Sequence, residues 1–515
     1  MTTGPALTFL AIHRFGLGAR PGDLARIGAS ARDLFRAEVD GKQMAALTGL
    51  SFASINEAAP ALRDFSEKER IERETRRAAQ VAGMPNQPGS AQPAPASPTP
   101  ASPTPGPPEQ MMGGQPVMGP PASASAPAPA QSAAQQRQSP SPPPEPPLPQ
   151  RTYREEARAR FHAMLEPLGG YSERLVAFWS NHFAVSVNKG NPVRTLAGLL
   201  EREAIRPHIY GRFADMLLAV ETHPAMIFFL DNQQSIGPTS RAGSRRGRGL
   251  NENLAREILE LHTLGVAGGY TQADVTALAN IITGWTLTPN NATDGLPGTF
   301  RFNANMHEPG NHTVLGRSYA EDGFEQGRKA LADIARHPST AQHIARKLTR
   351  HFVADEPPAS MVARVAAVFR DTDGDLQAVS RAVLESPEAW SAPLTKMRSP
   401  QEFLLASARA LGRKPDFGQI LQPLSAMGHP LWQPGGPNGF PDTNAAWASP
   451  EGLKTRLDVA ASISRQSANT IDPAGLIENL FGAAVSTETR QTILRAETRY
   501  QGVALALMSP EFQRR

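Results

Sequence analysis

The sequence predicts a mainly α protein: one large multi-helix domain with irregular loops and at most a short β-hairpin. Three observations carry this prediction. Apolar residues recur at helical spacing through most of the chain. Helix-start signals precede several of those segments, among them Pro21, Pro192, Thr271 with Asp274 three residues on, and Pro338-Ser339. Only Thr299–Phe302 has the look of a short strand.

The elements follow in order. Residues 1–82 form the N-terminal helical part. An apolar segment from Pro5 to Ile12 ends at a glycine turn, Gly16 to Gly18, and helices around Leu24 and from Ala31 to Val39 follow. Residues 61–82 carry Leu62, Phe65, Ile71 and Val81 among charges of both signs, the pattern of a helix standing in solvent. Residues 83–149 are different material: positions 81–150 hold 22 of the 48 prolines, interleaved with Ala, Ser, Gly and Gln. Each proline removes a donor and blocks helix, so this stretch is expected to be a disordered insertion with polyproline character. It is either a spacer or a docking segment for aromatic-lined readers of polyproline. The main helical domain resumes over 150–515.

Helices are expected from Tyr153 to Leu168, Tyr171 to Phe183, 191 to 206 and Phe213 to Ala219. Ala225–Leu230 is wholly apolar and is assigned to helix because its neighbours are helical. The most patterned stretch runs from Leu250 to Gly265. At about 100° per residue, Leu254, Ala255, Ile258, Leu259 and Leu261 share one face, and Asn253, Arg256, Glu257, Glu260 and Thr263 share the other. A glycine turn and a second helix with Val275, Leu278, Ala279 and Ile282 follow, joined closely enough to be antiparallel neighbours. Further helices are expected at 327–335, 340–352, 359–369, 375–385, 400–411, 452–465, 474–481 and 488–508, with an irregular loop from Trp432 to Asp442.

Composition excludes several classes. The 515 residues contain no cysteine, which removes disulfides, iron–sulfur clusters and thiolate zinc sites. A formal charge of +4 is too small to argue for nucleic acid, and no zinc-finger or RNA-binding signature is present. No run of 18 apolar residues exists, so no membrane span is expected. The N-terminal stretch lacks a basic start followed by a sustained apolar run, which on its own points to the cytoplasm.

Three places carry candidate chemistry. Asn253, Arg256, Glu257 and Glu260 form a polar stripe that suits a catalytic or ligand site, a salt-bridge network or an ordinary solvated face. His262 falls within the apolar arc and is expected to be a core residue bonded to a backbone carbonyl. His307-Glu308, with His312, offers the ligand types left to a cysteine-free metal site, so a divalent metal is the one cofactor the residues leave open. The same loop suits a histidine-pinned structural role or metal-free catalysis. His182 is the further acid–base candidate. Arg241, Arg245, Arg246 and Arg248 precede a helix N-terminus and form either an anion-binding loop or a solvated one.

Several motifs together resemble one bacterial family: Phe178-Trp179-Ser180-Asn181-His182-Phe183, Leu250 to Val266, Thr283-Gly284-Trp285, His307-Glu308-Pro309-Gly310 and Arg346-Lys347-Leu348-Thr349-Arg350-His351-Phe352. It is the family catalogued as domain of unknown function 1800 (DUF1800). The resemblance spans nearly the whole chain outside the proline-rich segment. It implies an uncharacterised protein, often encoded beside a sulfatase-like protein of alkaline-phosphatase fold and often exported, hence a periplasmic expectation. Glu308 keeps an acid usual in that pattern, whereas His312 stands where a lysine is common. Two functions follow: a hydrolase-like enzyme acting on an anionic or polymeric envelope substrate, or a non-catalytic assembly partner or scaffold for the sulfatase-like protein.

Overall fold

The computed structural model describes residues 4–82, 145–246, 249–467 and 470–515. Two compact units divide the chain, one formed by Met1–Lys68 with Pro146–Arg515 and the other by Glu69–Glu145. The described part of the second is Glu69–Ala82 of the helix Ile55–Ala82, and Glu145. Most of the proline-rich segment lies outside the described residues. Among those residues, no helix is long and apolar enough to cross a membrane.

The mainly α class holds. Among the described residues, sheet content is limited to two antiparallel pairs of three-residue strands, where the sequence suggests one hairpin at most. Trp285–Leu287 pairs with Phe300–Phe302, and His312–Val314 with Arg317–Tyr319. The second pair begins at His312, in the loop that carries the candidate metal ligands. The expected helices form, with shifted ends. The 488–508 segment breaks into Thr487–Leu494 and Arg499–Met508. A helix at Phe417–Ala426, with Pro423 inside it, was not expected. There a reciprocal Asp416–Gln419 capping box starts the helix.

Three helices frame the interior. Tyr171–His182 follows a left-handed Gly170 and places Tyr171, Leu175, Phe178, Trp179 and His182 at i, i+3 and i+4 intervals, all of them buried. Pro338–Phe352 begins with Pro338 in its first turn and the His337 ring accepting the Ser339 N–H. Pro400–Ala410 begins with a Ser399–Glu402 capping box. An aromatic seam joins the first two: the Tyr171 ring lies 4.9 Å from that of Phe352, which lies 6.3 Å from Phe15, which lies 5.1 Å from Trp390. Burial of each such ring is worth roughly 1.5–3 kcal/mol, so this seam fixes the helices whose polar ends meet beside it.

The Leu250–Gly265 stretch departs from its expected geometry twice. Helix begins only at Asn253, with the Asn251 side chain accepting the Asn253 N–H at 3.0 Å. From Ile258 to Thr263 the backbone is then a π-helix, as Leu264 N–H bonding to Leu259 O at 3.0 Å shows. A wider turn breaks the 100° bookkeeping past Glu257. It leaves the Leu261 and His262 carbonyls free to accept from the His343 and His182 rings, at 3.2 and 3.0 Å. Gly265 ends the stretch at φ 84°, where a Cβ would sit 2.7 Å from His343 Nδ1.

Candidate active site

A cavity of about 240 Å³ opens where the ends of the three framing helices meet the 431–442 loop. Five cationic side chains line it, Arg160, Arg174, Lys347, Arg350 and Arg515, against two carboxylates, Glu402 and Asp442. Such an imbalance in a partly closed site favours an anionic occupant.

Glu402 is the keystone. As the third residue of its helix it accepts the Ser399 N–H at 2.8 Å, closing the capping box. It also receives Arg174 at 3.2 Å and Arg515 at 2.8 Å. Burial alone would raise its pKa, but the two guanidinium groups hold the carboxyl well below the usual range. Arg174 is itself buried; it also donates to the backbone carbonyls of His13, Arg14 and Gly16, meets His351 Nε2 and lies over the Phe352 ring.

Asp442 is the second anchor. His351 Nδ1 donates to it at 2.9 Å, and Lys396 and Arg515 approach at 3.0 and 3.4 Å. Burial opposes its ionisation, yet these neighbours keep its pKa well below 3.8. With Nδ1–H directed at Asp442, His351 Nε2 is left as the acceptor, facing Arg174 at 3.4 Å. Burial lowers the His351 pKa to about 4 despite Asp442, so the ring is neutral near pH 7.

Lys347 and His351 are four residues apart on one helix and therefore face the same side. Lys347 Nζ lies 2.8 Å from His182 Nδ1. His182 Nε2 must carry its ring proton, because it meets the His262 carbonyl, which can only accept. Among the described residues Lys347 makes no salt bridge, and burial lowers its pKa to about 8, with Asp442 acting in the opposite direction. It is a cation at neutral pH, poised to lose its proton just above.

The loop bearing Asp442 is held by Asn181, whose side-chain amide bonds both backbone groups of Phe440, at 2.7 and 2.9 Å. Gly439 passes so close that a Cβ there would lie 2.3 Å from the Asn181 carbonyl. Asn181 thus orders the loop, and its neighbour His182 enters the cavity.

The family model for proteins of unknown function DUF1800 matches residues 10–514. The chain belongs to this family. Comparison with curated proteins and with solved structures returned no match. Two of the motifs that mark this DUF1800 chain, Phe178–Phe183 and Arg346–Phe352, meet at the cavity, and the π-turn of a third backs onto it.

Of the residues singled out from the sequence, only His182 lines this cavity. The Asn253 side chain is exposed. Arg256 pairs with Glu252 at 3.1 Å and with Gln272 at 2.9 Å. Glu260 accepts from Tyr270 at 3.1 Å. Glu257 is half-buried, and burial raises its pKa. His262 is fully buried as expected, but its partner differs: Nδ1 meets the Glu221 carboxylate at 2.8 Å in place of a backbone carbonyl. A single-helix reading could not foresee this, because Glu221 lies 41 residues earlier. Among the described residues, His262 Nε2 and Glu221 Oε2 have no further partner.

His307 Nδ1 bonds the Thr283 carbonyl at 3.0 Å. Glu308 receives the N–H and hydroxyl of Thr239, at 2.8 and 2.5 Å. Among the described residues, no group of three or more His, Asp or Glu side chains is placed to hold a metal ion. Arg241 and Arg245 are exposed; Arg246 closes a short helix, Gly243–Arg246, and Arg248 lies outside the described residues.

Arg174, Glu402, Asp442 and Arg515 were not singled out, and Lys347 and His351 stood only within the Arg346–Phe352 motif. A partial signal existed for Glu402, since Ser399-Pro400-Gln401-Glu402 is a capping box in sequence. Asp442 sits in a Gly/Pro-rich loop, and nothing local marks it.

Proposed function

We propose that this DUF1800 protein is a hydrolase-like enzyme acting on an anionic substrate held in the Arg174–Arg515 cavity. The observation that supports this most is the pair presented by one helix. Lys347 is a cation with no carboxylate partner among the described residues, and His351 is a neutral ring oriented by a carboxylate. Lys347 supplies the unpaired charge that binds the substrate anion, while Arg174, Arg350 and Arg515 around it are already matched by Glu402, Glu356 and Asp442 and add N–H donors.

The reaction is then ordinary acid–base hydrolysis. A water molecule that replaces Arg174 as the donor to His351 Nε2 bonds through its oxygen to the electrophilic centre and gives Nε2 a proton, which passes through solvent to Lys347 once the products leave. The resulting imidazolium is stabilised by Asp442. The bond to the leaving oxygen breaks with its electron pair, and Lys347 transfers a proton to that oxygen. His182 accepts a hydrogen bond from Lys347 and fixes the direction of its remaining protons.

The test is turnover of p-nitrophenyl phosphate, sulfate and acetate by the full chain, compared with Lys347→Met and His351→Asn. The reading expects at least one anionic ester to be cleaved, with a loss of about 10²–10⁴-fold in each variant. Absence of turnover on both anionic esters, whether or not the neutral acetate is cleaved, or rates equal in variants and wild type, would contradict it.

A further inference from the structure

A second concave surface, sharing no lining residue with the cavity, has the properties of a polymer-binding groove. Two depressions of about 400 and 420 Å³ adjoin, with Asn303, Asn305 and Met306 common to both. Each falls within the size of a small-ligand pocket (roughly 300–1,000 Å³), so together they accommodate successive units of a chain. Arg241 and Arg245 line one and Arg301 the other; among the described residues no Asp or Glu lines either. Among the described residues Arg241 and Arg245 make no salt bridge, while Arg301 meets the exposed Asp294 at 3.2 Å. Gln233, Gln234, Asn303 and Asn305 supply amides, and Ile236, Leu287, Pro289 and Met306 an apolar floor.

The arginine loop is built onto this surface. Gly237 N–H bonds Met306 O at 2.9 Å, and Ala242 N–H bonds Asn305 O at 2.8 Å. Glu308 clamps Thr239 from the next residue pair, and its own N–H is held by the Thr283 hydroxyl at 2.7 Å. Glu308 therefore orders the loop that carries the cations.

We propose that this groove binds an acidic polysaccharide, through arginine contacts to its carboxylate or sulfate groups and amide contacts to its hydroxyls. Arginine recognises both anions by paired N–H donation. Single-stranded nucleic acid is disfavoured because its binding relies on aromatic platforms, and no aromatic side chain lines either depression. The proposal is independent of the reaction assigned to the cavity.

The test titrates the full chain with fluorescently labelled polygalacturonate, dextran sulfate, neutral dextran and single-stranded DNA at physiological salt. Tighter binding of one or both acidic glycans than of DNA is expected, with none of neutral dextran; the two glycans separate carboxylate from sulfate preference. Arg241→Ala/Arg245→Ala, both at exposed positions, should weaken glycan binding about tenfold while leaving the circular dichroism spectrum unchanged. Glu308→Gln is the sharper probe. Removing a negative charge would strengthen anion binding if charge alone mattered, whereas loss of the Thr239 clamp should weaken it a few-fold. No glycan binding, tighter binding of DNA, full binding by the double variant, or stronger binding by Glu308→Gln would each overturn the proposal.

Discussion

The cavity around Glu402 and the polar stripe on the Asn253 helix both concentrate charge, yet they are built in opposite ways. The stripe is local and wet. Arg256 answers Glu252 four residues away and Gln272 on the neighbouring helix; Glu260 answers Tyr270. The cavity gathers Arg174, Lys347, His351, Glu402, Asp442 and Arg515 from segments far apart in sequence and shields them from solvent. Water screens the first arrangement and leaves each pair worth little, whereas desolvation makes every group in the second depend on its partners. A dense charge pattern along one helix is thus a poor guide to chemistry, and a shared interior is a better one.

The largest effect that sharpens this contrast is expected at Glu402. Glu402→Gln leaves Arg174 and Arg515 buried without their carboxylate and should cost about 3–5 kcal/mol, measured by urea unfolding. The same region sets the acid limit. Glu402 and Asp442 ionise in the folded state well below their ordinary values of 4.5 and 3.8. The unfolded chain therefore binds protons first on acidification. Their stabilisation is complete above about pH 5 and should fade as pH falls below that, most steeply under pH 4; a flat stability profile across that window would break the account.

Next in size is Glu221→Gln. It weakens the buried charge-assisted bond to His262 and should cost about 1–3 kcal/mol. Because the His262 carbonyl sets the His182 tautomer, the pH midpoint assigned to Lys347 should also move, which a purely structural role would not require. Lys347→Met reverses the usual expectation. Removing a desolvated amine should leave stability equal or higher while abolishing anion uptake; a variant that is both destabilised and still binding would contradict that assignment. The smallest effect belongs to the stripe. Arg256→Ala should change stability by no more than about 0.5 kcal/mol and leave turnover untouched.

Legibility in the sequence followed the range of the interactions. Periodicity and caps are local, so Tyr171–His182, Pro338–Phe352, Pro400–Ala410 and the Thr271–Asp274 box were readable. The π-turn at Ile258–Thr263 was not, because its residues fit a 3.6-residue period as well as any α-helix and the difference arises from the tertiary partners of two carbonyls. Of the cavity, His182 was readable as a candidate within an aromatic motif, and Lys347, Arg350 and His351 only as members of the Arg346–Phe352 motif. Asp442 acts through a loop that Asn181 orders from 259 positions before Phe440, and Glu402 acts through arginines that no spacing connects to it. His307 and Glu308 drew attention as ligand types, but their hydrogen bonds serve loops. Residue type alone cannot distinguish an anchor from a site.

The most direct test of the cavity as an anion site is calorimetric titration of sulfate into the Arg241→Ala/Arg245→Ala chain, with and without Lys347→Met. The double variant removes the groove from the measurement. Binding of one sulfate per chain is expected at pH 7, weakening as pH rises through about 8, where Lys347 loses its proton, and disappearing in the Lys347→Met chain. Equal sulfate binding with and without Lys347, or none in either, would contradict it.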